Sequence, residues 1–170
     1  MMFIRHLLSF LALPFVVGVV VPIWIARRNG IEVAWPGWPM LFAGIVVLGV
    51  GVLLFAASLW EFVTRGRGTL APWDPPRSLV VHGPYRYVRN PMISGLLFVL
   101  AAEAILLRSS PHAGWFLTFL VINAIYIPLM EEPMLADRFG DSYREYCRNV
   151  PRVIPRLTPW PSSSHQPPLA

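Results

Sequence analysis

The side chains able to do chemistry fall in two short stretches. One is HGPYRYVRNP, residues 82–91, which gathers an imidazole, two arginines, two tyrosines, an asparagine and two prolines in a chain that is 55% hydrophobic. The other is the adjacent pair Glu131 and Glu132 at the end of an apolar run. Pro91 suits the first position of a helix, and Asn90 is a favoured cap before it. The unpaired amides of that helix start, with Arg86 and Arg89, suit an anion such as a carboxylate or phosphate. The same arginines also read as ordinary basic residues beside a membrane segment. Glu131 and Glu132 lie near the negative end of their helix, where carboxylates are disfavoured, so something cationic or hydroxyl-rich has to compensate. Arg86, Arg89 and Arg138 are internal candidates, a ribose or a cationic ligand serves as well, and a purely structural ion pair is the alternative.

The remaining polar residues carry less. Glu61 and Arg65 are four apart and can pair on one helix face. Glu103, about 18 Å along its helix, reads as reaching toward the far interface near Arg108. His6, His82, His112 and His165 have no metal-ligand spacing, so no metal is expected. Cys147 is the single cysteine, which excludes an intrachain disulfide, and neither it nor Ser94 has a base evident in the sequence.

The elements that must position these residues are set by hydropathy. Mean hydropathy is +0.55 and only 14% of the residues are charged, too oily for an ordinary soluble domain of 170 residues. Four largely uncharged runs, residues 7–26, 33–60, 90–107 and 113–130, are each long enough to cross a bilayer, for which about 17 to 25 helical residues are needed. The first exceeds a signal-peptide core, lacks a small-residue cleavage site and ends in Arg27 and Arg28, so it reads as a retained helix, kinked near Pro14 and Pro22.

All fourteen basic residues are arginine. Eleven lie on the side of the N-terminus, the 61–90 loop and the C-terminal tail, against Arg27, Arg28 and Arg108 opposite, so the positive-inside rule places both termini in the cytoplasm. Trp24, Trp35, Trp38 and Trp115 fall near helix ends on the opposite side, where indoles prefer to sit. The pI near 10.1 accompanies no nucleic-acid motif, and contact with anionic headgroups explains it.

Two segments outside the runs are not free linkers. Residues 65–90 hold too much Gly and Pro for a helix, yet Leu70, Trp73, Leu79, Val80 and Val81 are too apolar for solvent, which predicts an ordered loop folded onto the membrane face. In residues 131–149, Leu135, Phe139, Tyr143 and Tyr146 recur at helical steps opposite a charged side, which predicts an amphipathic helix lying on that loop or along the interface. The Pro- and Ser-rich residues 157–170 read as a disordered tail.

In this order, GRGTLAPWDPPRSLVVHGPYRYVRNPMISG, a hydrophobic hairpin and EEPMLADRFGDSYREYCRNVPRVIP resemble the integral-membrane methyltransferases related to isoprenylcysteine carboxyl methyltransferase and the phospholipid N-methyltransferases, over residues 60–156. The resemblance implies S-adenosylmethionine as cofactor on the cytoplasmic side. It implies that Leu79, Val80, Tyr85, Asn90, Pro91, Met92 and Ile93 line its pocket and that Glu131 closes it, with His82, Arg89 and Glu132 alongside. Arg89 and Glu132 would be the catalytic pair and His82 a further cofactor contact. Two positions depart from the family pattern. Ile93 stands where members often have a tyrosine, and Ile127 where prenylcysteine enzymes carry an arginine, which argues against a prenylcysteine carboxylate as acceptor.

The expected fold is all-α: a polytopic membrane protein of four transmembrane helices, with the loop and the C-terminal amphipathic helix forming a cofactor pocket. Residues 1–156 form one domain. The expected partners are the bilayer and a hydrophobic methyl acceptor, with no nucleic acid and no metal. A non-catalytic relative of the same fold and a small transporter are the rival readings, though Glu103, Asn123 and Ser94 are too few polar residues to line a transport path.

Overall fold

The computed structural model describes residues 13–65 and 78–161. The expectations for residues 7–12 of the first run, for the loop over residues 66–77 and for the tail from residue 162 lie outside the described residues. Within them every regular element is helical and there is no strand.

The first helix follows residue 13 through a π turn, Val16–Val20, into α1, Val21–Arg28. Pro22 explains the turn. In π register the carbonyl of Val17 would be met by the amide of residue 22, which proline lacks. The indole Nε1 of Trp115 donates to that carbonyl instead, at 3.0 Å. Five residues on, the Pro22 carbonyl lies 3.2 Å from Nε2 of His112, whose Nδ1 is 2.8 Å from Ser109 Oγ. The carbonyls near this proline are thus answered by side chains of a neighbouring helix.

The long helix α2, Trp38–Arg65, has Gly44, Gly51 and Ser58 buried at intervals of seven. That stripe of small residues faces α3, Pro91–Leu106, and the backbones meet where Gly51 opposes Gly95. A Cβ on Gly95 would stand 2.7 Å from the Phe55 amide nitrogen, and one on Gly51 2.8 Å from the Gly95 carbonyl. Lipid tails compete equally for apolar side chains, so close backbone approach is what holds such helices together. Val17, Leu96 and Leu100 extend this core toward α4, Ser110–Tyr126, where Trp115, Phe116 and Phe119 pack on them.

α4 runs through a second π turn, Ile127–Glu131, into α5, Glu132–Asn149. Pro128 again removes a donor, and the additional residue turns the following face by about 100° relative to an unbroken helix. α5 breaks helical geometry once, at Gly140, with φ 55°. Its inward face is the one read from sequence: Tyr143 and Tyr146 are buried with Val150, against Leu79, Val81, Leu135 and Phe139.

Residues 150–160 return as a strap across the 82–91 stretch, where Gly83–Arg86 form a short 3₁₀ turn. The amide of Arg89 donates to the Pro151 carbonyl, that of Arg156 to Tyr87, and that of Trp160 to Arg86, each at 3.0 Å. Arg86 Nε returns a bond to the Trp160 carbonyl at 2.7 Å, and the Trp160 ring packs on Tyr146. The chain is therefore packed past residue 156, where the sequence predicts the tail to begin.

Against the four spans read from sequence, two helices among the described residues are long and apolar enough to cross a membrane: α2, and the continuous helix Ser110–Asn149, whose apolar part ends before Glu131. α3, at 16 residues, is slightly shorter than the usual span of about 17 to 25.

Candidate functional site

Residues 79–90 cover the ends of α2 and α3. Val80 joins Phe62 of α2 and Met92 of α3 in one cluster, with Tyr85 packed on it. α5 closes over the other side, where the Tyr146 hydroxyl donates to the Tyr85 carbonyl at 2.7 Å. Between loop and helix lies a cleft of about 80 Å³, lined by Ser78, Leu79, Val80, Tyr85, Arg89, Asn90, Glu131, Leu135, Phe139, Tyr143 and Tyr146. One hollow thus joins the two stretches.

Six of the residues singled out from sequence line it: Leu79, Val80, Tyr85, Arg89, Asn90 and Glu131. Pro91 and Met92 are buried beneath it in the α3 start, and Ile93 follows them on the helix outside the lining. His82 caps the 3₁₀ turn, away from the cleft. Burial, and next the Arg65 guanidinium, hold its imidazole below the ordinary histidine range, with Glu61 partly opposing. Asn90 does cap α3, but its side chain makes no capping hydrogen bond, and its carbonyl accepts from the Ser94 amide and hydroxyl. Burial, then Glu131 and Glu61, push the Tyr85 phenol well above the usual tyrosine range, so it keeps its proton.

The two acids have separate environments. Glu132 is saturated: Oε1 accepts from Arg89 Nη1 and Arg152 Nε, both at 2.8 Å, and Oε2 from Arg152 Nη2 at 2.6 Å. Glu131 has no hydrogen bond or ion pair among the described residues, although it lines the cleft. Arg89 also donates to Cys147 Sγ at 3.2 Å, while its Nε is buried without a partner among the described residues. Two residues of the lining thus carry unanswered groups: Glu131 a carboxylate without a partner, and Arg89 a buried Nε without one among the described residues. A buried donor such as Arg89 Nε costs free energy while it has no partner.

Sequence reasoning missed Arg152, which looked like one more basic residue outside the membrane. It took Leu135, Phe139, Tyr143 and Tyr146 as a packing face rather than a lining, although their spacing was the signal. Glu61 and Arg65 pair as expected, at 2.7 Å. Glu103 does not reach Arg108: its Oε2 is buried with no partner among the described residues. No group of three His, Cys, Asp or Glu among the described residues is arranged to hold a metal.

Residues 84–94 also contribute to a second hollow, of about 590 Å³. Its walls are almost wholly apolar, with Leu54 of α2, Leu97, Phe98 and Ala101 of α3, Phe116 of α4, and Val153 and Pro155 of the strap. Ser94 and Tyr87 are its hydroxyl-bearing residues.

A sequence model of the phospholipid methyltransferase family matches residues 39–142. Among characterised proteins the chain resembles methanethiol S-methyltransferase 2 of Bradyrhizobium diazoefficiens, 32% identical over 80% of this chain and 51% of that protein. It also resembles methanethiol S-methyltransferase 1 of the same organism, 28% identical over 74% of this chain and 41% of that protein. The chain thus spans about half the length of the curated relatives it matches. No solved structure matches it significantly. With both polar stretches on one cleft and a family match over most of its length, the chain belongs to the phospholipid methyltransferase family.

Proposed function

We propose that this protein transfers a methyl group from S-adenosylmethionine to a lipophilic acceptor. It would do so as a four-span membrane protein with termini and cleft on the cytoplasmic side, its functional domain ending within the strap. The observation that carries the reading is the pair of hollows to both of which residues 84–94 contribute, one holding the polar and aromatic residues of the two stretches, the other almost wholly apolar.

The unanswered groups in the cleft suit the cofactor. Glu131 would accept from ribose hydroxyls. Arg89 Nε and the amides at the α3 start would hold the amino-acid carboxylate, and Leu79, Val80 and Phe139 would flank the adenine. The aromatic faces of Tyr143 and Tyr146 suit a sulfonium. At about 80 Å³ the cleft is smaller than the several hundred Å³ of a typical small-molecule site, so the ligand widens it on entry. When bound, S-adenosylmethionine supplies an electrophilic methyl group. The protein's part is orientation, worth up to about 7 to 11 kcal/mol in favourable cases, and the exclusion of water. No protein nucleophile is needed.

The apolar hollow, at about 590 Å³, has the size of a ligand site, and its almost wholly apolar lining suits a lipophilic acceptor, which would enter laterally from the bilayer. Ile93 and Ile127 supply no group for a prenylcysteine carboxylate. The names of the relatives favour a second reading, a small thiol such as methanethiol as acceptor.

Purified full-length protein in detergent, given methyl-labelled S-adenosylmethionine with either a membrane lipid extract or methanethiol, tests this. Label extracted with lipid, and lost on Glu131→Ala, is expected. Label transferred only to the thiol selects the second reading. No transfer to either, with no heat from S-adenosylhomocysteine in calorimetry, overturns the methyltransferase assignment in favour of a non-catalytic relative or a transporter.

A further inference from the structure

Arg152 lies ten residues beyond the segment matched by the family model, in the strap, yet it makes the most complete polar contact of the site. Its guanidinium grips both oxygens of Glu132, through Nε to Oε1 at 2.8 Å and Nη2 to Oε2 at 2.6 Å. Such a two-point grip fixes the plane of a carboxylate, which a single contact does not. The fixed Oε1 is the same atom that accepts from Arg89 Nη1 at 2.8 Å. Arg89 is anchored a second time by its backbone amide, bonded to the Pro151 carbonyl beside Arg152. Strap, acid and cleft arginine thus form one chain of contacts, and its last member carries the unpartnered Nε.

We infer that Arg152 is a positioning residue: by locking Glu132 it holds Arg89 in the one arrangement that leaves Arg89 Nε free for an anionic ligand group in the cleft. The ligand part rests on the proposed function, but the positioning part does not. Without Arg152, Oε1 and Oε2 of Glu132 become equivalent acceptors, and Arg89 can turn to answer its own Nε at Glu132. The fold would lose little, because Arg152 is 39% exposed and recovers water, whereas Arg89 would lose the arrangement that keeps its Nε unpartnered.

Cys147 provides a readout that needs no ligand, since it is the only cysteine in the chain and Arg89 Nη1 sits 3.2 Å from its sulfur. The full-length protein in detergent is labelled with a neutral maleimide, comparing wild type with Arg89→Gln, Arg152→Gln, Arg152→Lys and Arg156→Gln. Arg89→Gln sets the change in labelling rate when that guanidinium leaves the sulfur. Arg152→Gln is expected to move the rate in the same direction and to a comparable extent, and Arg152→Lys, which keeps the charge but not the fork, to move it partway. Arg156→Gln removes a strap contact to the Asn149 and Thr158 carbonyls without touching Glu132, and is expected to label as wild type.

S-adenosylhomocysteine calorimetry on the same proteins should show affinity about tenfold weaker for Arg152→Gln, the equivalent of one charge-assisted hydrogen bond. Wild-type labelling by Arg152→Gln overturns the inference. So does an equal shift in Arg156→Gln, which would mean general loosening of the strap, and so does an unmoved Arg89→Gln, which would mean that Arg89 is not held at Cys147. If labelling shifts as expected while the wild type gives no heat with S-adenosylhomocysteine, the positioning role stands and the cofactor reading fails.

Discussion

Glu131 and Glu132 are neighbours with opposite expected responses to the same change. Glu132→Gln leaves two guanidiniums without their carboxylate. With Glu132 only 16% exposed and Arg152 able to recover water, the cost should be about 3 kcal/mol, the low end for breaking a buried pair, read as a lower midpoint in thermal unfolding. Glu131→Gln breaks no hydrogen bond among the described residues, so its unfolding midpoint should stay within about 0.5 kcal/mol of wild type while S-adenosylhomocysteine affinity is lost. Gly83 answers a different constraint. Its φ of 53° and a Cβ position 2.8 Å from Glu61 Cγ both exclude a side chain, so Gly83→Ala should cost about 1 to 2 kcal/mol from the backbone alone. Glu131, Arg89 and Asn90 were legible because polar residues stand out in an apolar chain. Arg152 was not: its role depends on a partner twenty positions away, brought near by the turn of the strap, and nothing in PRVIP encodes that meeting.

At the level of elements, α2 and α3 depend on absent side chains. Gly95→Ala drives a methyl into the Phe55 backbone at 2.7 Å and should cost about 1 to 3 kcal/mol, as overpacking does. Gly49→Ala, on the same helix as Gly51 but with nothing within 4 Å, should instead stabilise by about 0.5 to 1 kcal/mol through helix propensity. Thermal unfolding of the two variants in one detergent checks the contrast. The apolar runs and the Asn90–Pro91 boundary marked α2, α3 and α4, and the helical steps of Leu135, Phe139, Tyr143 and Tyr146 marked α5. The π turns were not legible as such, because a proline in an apolar run says that a donor is missing and not which side chain will replace it. The strap had no periodicity to read, since it is held by backbone amides and carbonyls, which every residue but proline carries.

For the whole molecule, the boundary that matters falls after the strap. A chain ended at Pro161 should keep both its melting temperature and its affinity for S-adenosylhomocysteine. One ended at Asn149 should lose both, because Val150, Arg152 and the Pro151 and Trp160 carbonyls leave with the strap. Gel filtration and calorimetry of the two truncations decide it. The break at Gly140 bears on how anything gets in. Where Gly51 meets Gly95 the backbones already touch, so the wall resting on α2 and α3 behaves as an anvil. The facing wall is carried by a helix interrupted at Gly140, where φ is 55° and an added Cβ would meet nothing within 4 Å, so it is the wall expected to yield when a ligand enters. A guest would be clamped from the α5 side, and stiffening that single joint should slow its arrival and departure alike.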